Sequence, residues 1–135
     1  MPAKTDVIYV LKKEHSEMVN LLKDIEKYIN DWTSKGRVII SGILKEFGKF
    51  WDEHEKREEE FFELCRVMGK PVPNEIILLQ QHREMKGHWK IITEAMNSKN
   101  SENFRVALDT DGRMLIEKFR RHIDKENKFL NEAFN

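Results

Sequence analysis

The chain of 135 residues contains few residues that cross-link or interrupt a helical fold. It has one cysteine and three prolines, and its 24 basic side chains are balanced by 24 acidic ones. A single cysteine cannot form an internal disulfide, and we interpret Cys65 as a buried apolar side chain. The balanced and interleaved charge gives no basic surface for nucleic acid or anionic lipid. We therefore expect neither a disulfide-stabilised scaffold nor a nucleic-acid-binding protein.

Long hydrophobic runs are also absent. The longest apolar stretches, residues 38–44 and 76–79, are far too short to cross a bilayer. The first six residues contain no apolar signal region, so we expect no membrane association and a cytoplasmic location. A chain of this length forms one substantial core, and a single domain over residues 1–135 is predicted.

Helix-breaking residues divide the chain into four long segments. Stop signals lie at residues 35–37, 69–73 and 97–101, and Thr5 and Asn74 are suitable helix N-caps. The predicted helices cover about residues 5–34, 38–68, 74–97 and 101–131. No segment sustains the two-residue alternation of a strand. Short connections favour antiparallel neighbours, so the prediction is an all-α fold, an antiparallel up-down-up-down four-helix bundle.

Histidine and glutamate occupy positions where buried apolar residues are expected. In each segment apolar residues recur at alternating steps of three and four, the spacing of a helix face buried in a bundle. These inward series end at Trp32, Met68, Met96 and Ala133. They also contain six polar residues: His15, His54, Glu58, His82, His122 and Glu126. Roughly two residues in seven fall on such a face by chance, so the presence of four of the five histidines there is unexpected.

The polar residues are also predicted to lie at one level of the bundle. In antiparallel helices, residues at equal distances from a turn lie at equal height. His15 precedes the first turn by 20 residues, and His54 follows it by 19. His82 precedes the third turn by 18 residues and His122 follows it by 22, a difference of about 6 Å. All four helices therefore contribute to one thin layer.

Two buried carboxylates in this layer need a positive partner. An unpaired one costs several kcal/mol, against a total stability of about 5–15 kcal/mol. One explanation is that His54 and His122 are protonated and pair with the glutamates four residues later, but buried ion pairs are rarely favourable relative to apolar residues. We favour a metal site. Four imidazoles and two carboxylates suit iron, manganese or zinc rather than calcium or magnesium, and six groups suit a dinuclear centre.

The distribution of one, two, one and two such residues over four helices resembles the hemerythrin-like, or HHE cation-binding, domain. The residues that carry the resemblance are His15, His54-x-x-x-Glu58, His82 and His122-x-x-x-Glu126, and it covers almost the whole chain. The resemblance implies two iron ions joined by carboxylate bridges and an oxo or hydroxo bridge. The two glutamates would bridge, the histidines of the first two helices would bind one iron, and those of the last two would bind the other.

The chain departs from the pattern of oxygen-carrying hemerythrins at two positions. Those proteins have two histidines four residues apart on the third helix, whereas the residue four after His82 is Lys86. They also have an aspartate five residues after the histidine of the fourth helix, where this chain has Asn127. The second iron would then have an open position for water, for Glu55 or, after a helix distortion, for His88, which lies off the inward face.

Three functional hypotheses agree with these residues. The first is a non-haem di-iron protein that binds or reacts with dioxygen or a related small ligand, such as peroxide or nitric oxide. The open position favours irreversible oxidation, peroxide chemistry or sensing over reversible oxygen carriage. The second is an iron or redox sensor, or an iron store, that acts through a protein partner, and the third is a metal-free helical interaction bundle. Weak oxidase or peroxidase activity stays open, because no separate nucleophile, phosphate loop or substrate pocket is identifiable.

Overall fold

The computed structural model describes residues 4–132, and nearly all of them are helical. The helices are α1 (Lys4–Asn30), α2 (Ser34–Val67), α3 (Glu75–Asn97), α4 (Ser101–Ala107) and α5 (Arg113–Glu132). A π-helical turn, Leu108–Gly112, joins α4 directly to α5. The described residues therefore form four helical rods and no strand, which confirms the predicted all-α class. The π-helical turn was not predicted, because its hydrogen bonds span one residue more than those assumed by the 3.6-residue period.

The first turn lies earlier than the sequence predicts. α1 ends at Asn30 and α2 begins at Ser34, so the connection is residues 31–33 rather than 35–37. Thr33 has an extended backbone and caps α2, since its Oγ1 accepts a hydrogen bond of 2.9 Å from the Gly36 N–H. The prediction that the first helix reaches residue 34 was wrong because this side-chain cap outweighs the tendency of Gly36 to end a helix.

The other helix boundaries lie close to their predicted positions, but the caps differ. Asn74 occupies the N-cap position of α3 with a left-handed backbone (φ 61°), and its side chain makes no capping hydrogen bond to the described residues. Asn100 caps α4 by accepting a hydrogen bond of 3.0 Å from the Asn103 N–H. α1 already begins at Lys4, so Thr5 lies within the helix and is not its N-cap.

Two apolar clusters fill the interior, and a polar layer separates them along each rod. On α1, Leu11 belongs to the smaller cluster and Met18 to the larger one, with His15 between them. The larger cluster contains edge-on ring contacts, with Phe119 4.6 Å from Trp51 between ring centroids. The smaller cluster includes the buried Cys65, as predicted. Each rod therefore presents its polar residues between two apolar regions.

The inward series predicted for the second helix extends one residue too far, to Met68. Met68 is 52% exposed, because it follows the last residue of α2 and lies at the end of the bundle. Its predicted inward position is therefore wrong. Ala133 lies outside the described residues.

Gly48 permits a close approach of α2 and α3. A Cβ atom at this position would lie 2.7 Å from Cζ2 of Trp89, whose ring packs against Phe47 and Trp51 at centroid distances of 5.8 and 6.0 Å. We therefore expect Gly48→Ala to destabilise the fold by about 1–3 kcal/mol, although alanine favours helix by about 1 kcal/mol. Gly42→Ala is the matched control, since a Cβ there meets no described atom within 4 Å. Urea unfolding measures both, and a stabilised Gly48→Ala variant would contradict the close contact.

Candidate metal centre

The six polar residues predicted from the sequence meet in one buried layer. Each is at most 6% exposed. We call the six residues the His/Glu layer: His15, His54, Glu58, His82, His122 and Glu126. Their donor atoms form two groups, each with all atoms within 4.8 Å of one another. The first group is His15, His54, Glu58 and Glu126, and the second is Glu58, His82, His122 and Glu126. Both glutamates are shared between the two groups.

The four imidazole Nε2 atoms face the two shared carboxylates. The separations are 2.8 Å for His54 and Glu58 Oε1, 4.0 Å for His82 and Glu58 Oε1, 3.8 Å for His15 and Glu126 Oε1, and 2.6 Å for His122 and Glu126 Oε1. Each group therefore has one histidine beside each glutamate. The layer combines nitrogen and oxygen donors from all four rods at its centre.

The side chains of the protein do not satisfy the full hydrogen-bonding capacity of this layer. Three of its buried atoms make no hydrogen bond of acceptable geometry with the described residues: His15 Nε2, Glu58 Oε2 and Glu126 Oε1, the last although it lies 2.6 Å from His122 Nε2. The Nε2 atoms of His82 and His122 lie only 2.8 Å apart, a separation that a single shared proton can bridge. A buried polar atom without a partner costs about 1–3 kcal/mol. The same lone pairs are good ligands for borderline divalent ions, so the residues present fit a metal centre.

Burial controls the ionisation of the layer. It lowers the pKa of His15 and of His122 to about 4, so both rings are neutral at pH 7, the form that binds metal. Burial raises the pKa of Glu58, helped by the charge of Glu126, and burial also raises the pKa of Glu126. Burial opposes the charge of His54, but hydrogen bonding to Glu58 and the surrounding carboxylates outweigh it and raise its pKa to about 9.

Comparison with known proteins agrees with this geometry. Residues 8–133 match the family model of the hemerythrin HHE cation-binding domain. The chain belongs to this family. The resemblance seen in the sequence is thereby confirmed. No curated protein and no solved structure matches the chain significantly.

Membership of the hemerythrin HHE family implies binding of metal ions at histidine and glutamate side chains and, for the family, binding of small ligands. In this domain the His/Glu layer contains two groups of side chains that could hold a metal ion. No helix in the described part of the chain is long and apolar enough to span a bilayer.

Glu55, a further ligand candidate, lies outside both donor groups of this hemerythrin-like domain. Its Oε1 is 3.3 Å from Nδ1 of His82, on the outer edge of the ring, and its Oε2 is 3.0 Å from Nζ of Lys86. Lys86, at the position of the missing histidine, also lies 3.5 Å from Asp52 and 4.7 Å from the Trp51 ring centroid. The ammonium group is therefore paired with carboxylates outside the layer.

His88, the other further candidate, also lies outside the two groups. Its Nδ1 is 2.8 Å from Asp111 Oδ1 in the π-helical turn, and its Nε2 accepts a hydrogen bond of 2.9 Å from Nζ of Lys118. Both ring nitrogens therefore link α3 to the fourth rod, which consists of α4, the π-helical turn and α5.

Sequence reasoning missed Glu14. It is 7% exposed, its Oε1 lies 3.2 Å from Nδ1 of His54, and its other oxygen pairs with Arg57. Its position is one residue before His15, so it is rotated by about 100° from the inward face and does not share the apolar period. The available signal was a carboxylate adjacent in sequence to a predicted ligand.

Metal binding is expected to release protons near neutral pH. Because the pKa of His54 is about 9, this ring carries a proton in the metal-free protein at about pH 7.5, whereas a ligand imidazole must be neutral. Apparent metal affinity should therefore rise as pH increases towards the pKa of His54. Calorimetric titration in buffers of different ionisation enthalpy counts the released protons. Binding without proton release at this pH would contradict the expected role of His54.

Proposed function

We propose that this hemerythrin-like domain is a non-haem di-iron protein that binds or reacts with dioxygen or a related small ligand, such as peroxide or nitric oxide. The first donor group would hold one iron, the second group the other, and the two shared glutamates would bridge them. The observation that carries the proposal is this sharing, because both carboxylates belong to both groups while each group has its own pair of histidines. Six converging donors are more than a single tetrahedral ion binds, and two carboxylates shared between two donor groups suit a pair of ions.

Iron in such a centre supplies the redox chemistry towards dioxygen, and the protein supplies its surroundings. The apolar clusters cover the layer on both sides, with Phe61 1% exposed in one cluster and Trp51 2% exposed in the other. These apolar side chains keep bulk water away from the layer. The ring nitrogens of His15 and His122, neutral at pH 7, are ready to bind a cation without first losing a proton.

A surface cavity borders the His/Glu layer at His15. It has a volume of about 230 Å³, lies between α1 and the fourth rod, and reaches His15 and Asn127. Ser16, Asn20 and Asp124 give it a polar wall. A diatomic molecule or peroxide fits this volume, and the cavity adjoins the first donor group through the ring of His15, whose outer nitrogen contacts Asn127.

Anaerobic iron loading of the full chain tests the proposal. We expect about two irons per chain by metal analysis and, after exposure to air, the absorption of an oxo-bridged ferric pair. One iron or fewer after careful loading would overturn it. Removal of oxygen then distinguishes the two forms of the proposal, since the original spectrum returns only if binding is reversible. Iron-dependent stability or partner binding without an oxygen response would favour the sensing or storage hypothesis.

We also propose the antiparallel up-down-up-down order for the four rods, within one domain over residues 1–135. Contacts between neighbouring rods support it, because residue numbers rise on one rod as they fall on the other. On α1 and α5 these contacts are His15 with Asn127 at 2.7 Å and Glu26 with Arg120 at 3.2 Å. On α2 and α3 they are Asp52 with Lys86 at 3.5 Å and Arg66 with Glu75. The cytoplasmic location stays a prediction.

A further inference from the structure

We propose that four residues outside the ligand set act as positioning residues for the ligand histidines. They are Glu14, Glu55, Gln81 and Asn127. Each places an oxygen atom against the outer nitrogen of one histidine and so directs the inner nitrogen into the His/Glu layer. The inference rests on the proposed metal centre and adds to it the groups that orient its ligands.

Every histidine of the layer has an oxygen atom beside its Nδ1. The separations are 2.7 Å for His15 and Asn127 Oδ1, 3.2 Å for His54 and Glu14 Oε1, 3.3 Å for His82 and Glu55 Oε1, and 2.8 Å for His122 and Gln81 Oε1. A proton on Nδ1 can be donated to that oxygen, which leaves the lone pair on Nε2. Since all four Nε2 atoms face the shared carboxylates, the four oxygens favour the tautomer that a metal ligand needs.

The contacts run in order around the bundle and close into a ring. The histidine of α2 contacts α1, that of α3 contacts α2, that of α5 contacts α3, and that of α1 contacts α5. Each partner is also adjacent in sequence to a residue of the layer, in the dipeptides Glu14-His15, His54-Glu55, Gln81-His82 and Glu126-Asn127. One dipeptide on each rod thus supplies a donor to the layer and an oxygen to the histidine of the next rod.

The two carboxylates of this ring carry their own counter-charges. Glu14 pairs with Arg57, and Glu55 lies 3.0 Å from Lys86. The ring therefore adds no net negative charge, and the shared glutamates of the layer provide the charge that faces the cations. Lys86 has a role in this arrangement because it holds Glu55 against His82.

The two donor groups have matched surroundings. Each contains one histidine backed by a carboxylate, His54 or His82, and one backed by a side-chain amide, His15 or His122. A carboxylate partner raises the basicity of an imidazole ligand more than an amide does. Exchanging one kind of partner for the other should therefore change the electronic properties of the bound metal without removing a ligand.

Gln81 offers the sharpest test, because its neighbour Gln80 is an exposed glutamine on the same helix. Gln81→Leu removes the oxygen at similar volume and should weaken Co²⁺ binding by the intact chain about tenfold to a hundredfold, measured by titration of the Co²⁺ visible absorption. Gln81→Glu should restore the affinity. It should also lower the reduction potential of the iron-loaded protein, a change that a merely structural role would not produce. Gln80→Leu is the control and should bind Co²⁺ like the parent chain.

A thermal melt in the presence of a chelator checks that each variant folds. If Gln81→Leu does not fold, the Co²⁺ titration is made with Asn127→Leu, which removes the oxygen beside His15. Unchanged Co²⁺ affinity in the folded leucine variants, with normal binding by the parent chain, would overturn the positioning role and leave the metal centre intact. An equal loss in Gln80→Leu would also overturn it. A parent chain that binds neither Co²⁺ nor iron would instead refute the proposed function.

Discussion

Glu58→Ala is expected to lower bound iron from about two ions per chain to one or fewer. Glu58 is 2% exposed and belongs to both donor groups, so its removal takes a ligand from both proposed ions at once. Its Oε1 lies 2.8 Å from Nε2 of His54 and 4.0 Å from Nε2 of His82, and neither histidine can substitute for a bridging carboxylate. Metal analysis after anaerobic loading and desalting measures the loss.

Two control variants make this result specific. Glu59→Ala removes the next carboxylate on α2, which is exposed, and should retain the parent iron content. His88→Ala removes the one histidine outside the layer and should also retain it, because both ring nitrogens contact Asp111 and Lys118. A Glu58→Ala variant that keeps two tightly bound irons would refute the shared bridge. Loss of iron from His88→Ala would show that the ligand set of α3 is wrong.

Removal of metal is expected to lower the melting temperature by roughly 10–20 °C. A metal that binds only the folded chain stabilises it by about 4 kcal/mol when its free concentration is about 1,000 times Kd, and about 1 kcal/mol corresponds to several degrees for a domain of this size. The physical reason lies in the layer, where His15 Nε2, Glu58 Oε2 and Glu126 Oε1 make no hydrogen bond of acceptable geometry with the described residues. A bound cation satisfies such lone pairs.

Thermal unfolding with and without a chelator measures the shift, and added Fe²⁺ should restore the higher melting temperature. Glu58→Ala provides the comparison, since a chain that binds less metal should respond less to the chelator. An unchanged melting temperature in the parent chain would contradict the metal centre. It would favour the hypothesis of a metal-free interaction bundle.

The polar layer could be predicted from the sequence because a helix converts linear spacing into a face. His54 and Glu58 lie four residues apart, as do His122 and Glu126, and both pairs continue an apolar series. Equal distances from the turns then placed the histidines of different helices at one height. The predicted height difference of about 6 Å between His82 and His122 does not keep their rings apart, since their Nε2 atoms lie 2.8 Å from each other. The prediction used a uniform rise and could not include the π-helical turn before α5.

Single side chains decided the features that the sequence pattern missed. Thr33 caps α2 by accepting a hydrogen bond from Gly36, so the first turn lies earlier than predicted. The close contact of Gly48 with Trp89 depends on the distance between α2 and α3. The buried Glu14 lies off the inward face of its own helix, so no period identified it.

The helical fold and the position of four histidines and two glutamates on buried helix faces could both be read from the sequence, because both follow from spacing within each helix. The sharing of both glutamates between two donor groups, and the oxygen atom from a neighbouring helix beside each Nδ1, depend instead on how the helices pack together. These contacts join residues 27 to 112 positions apart, such as His82 with Glu55 and His15 with Asn127. Their geometry depends on the rotation and separation of packed helices, which the period of a single helix does not contain.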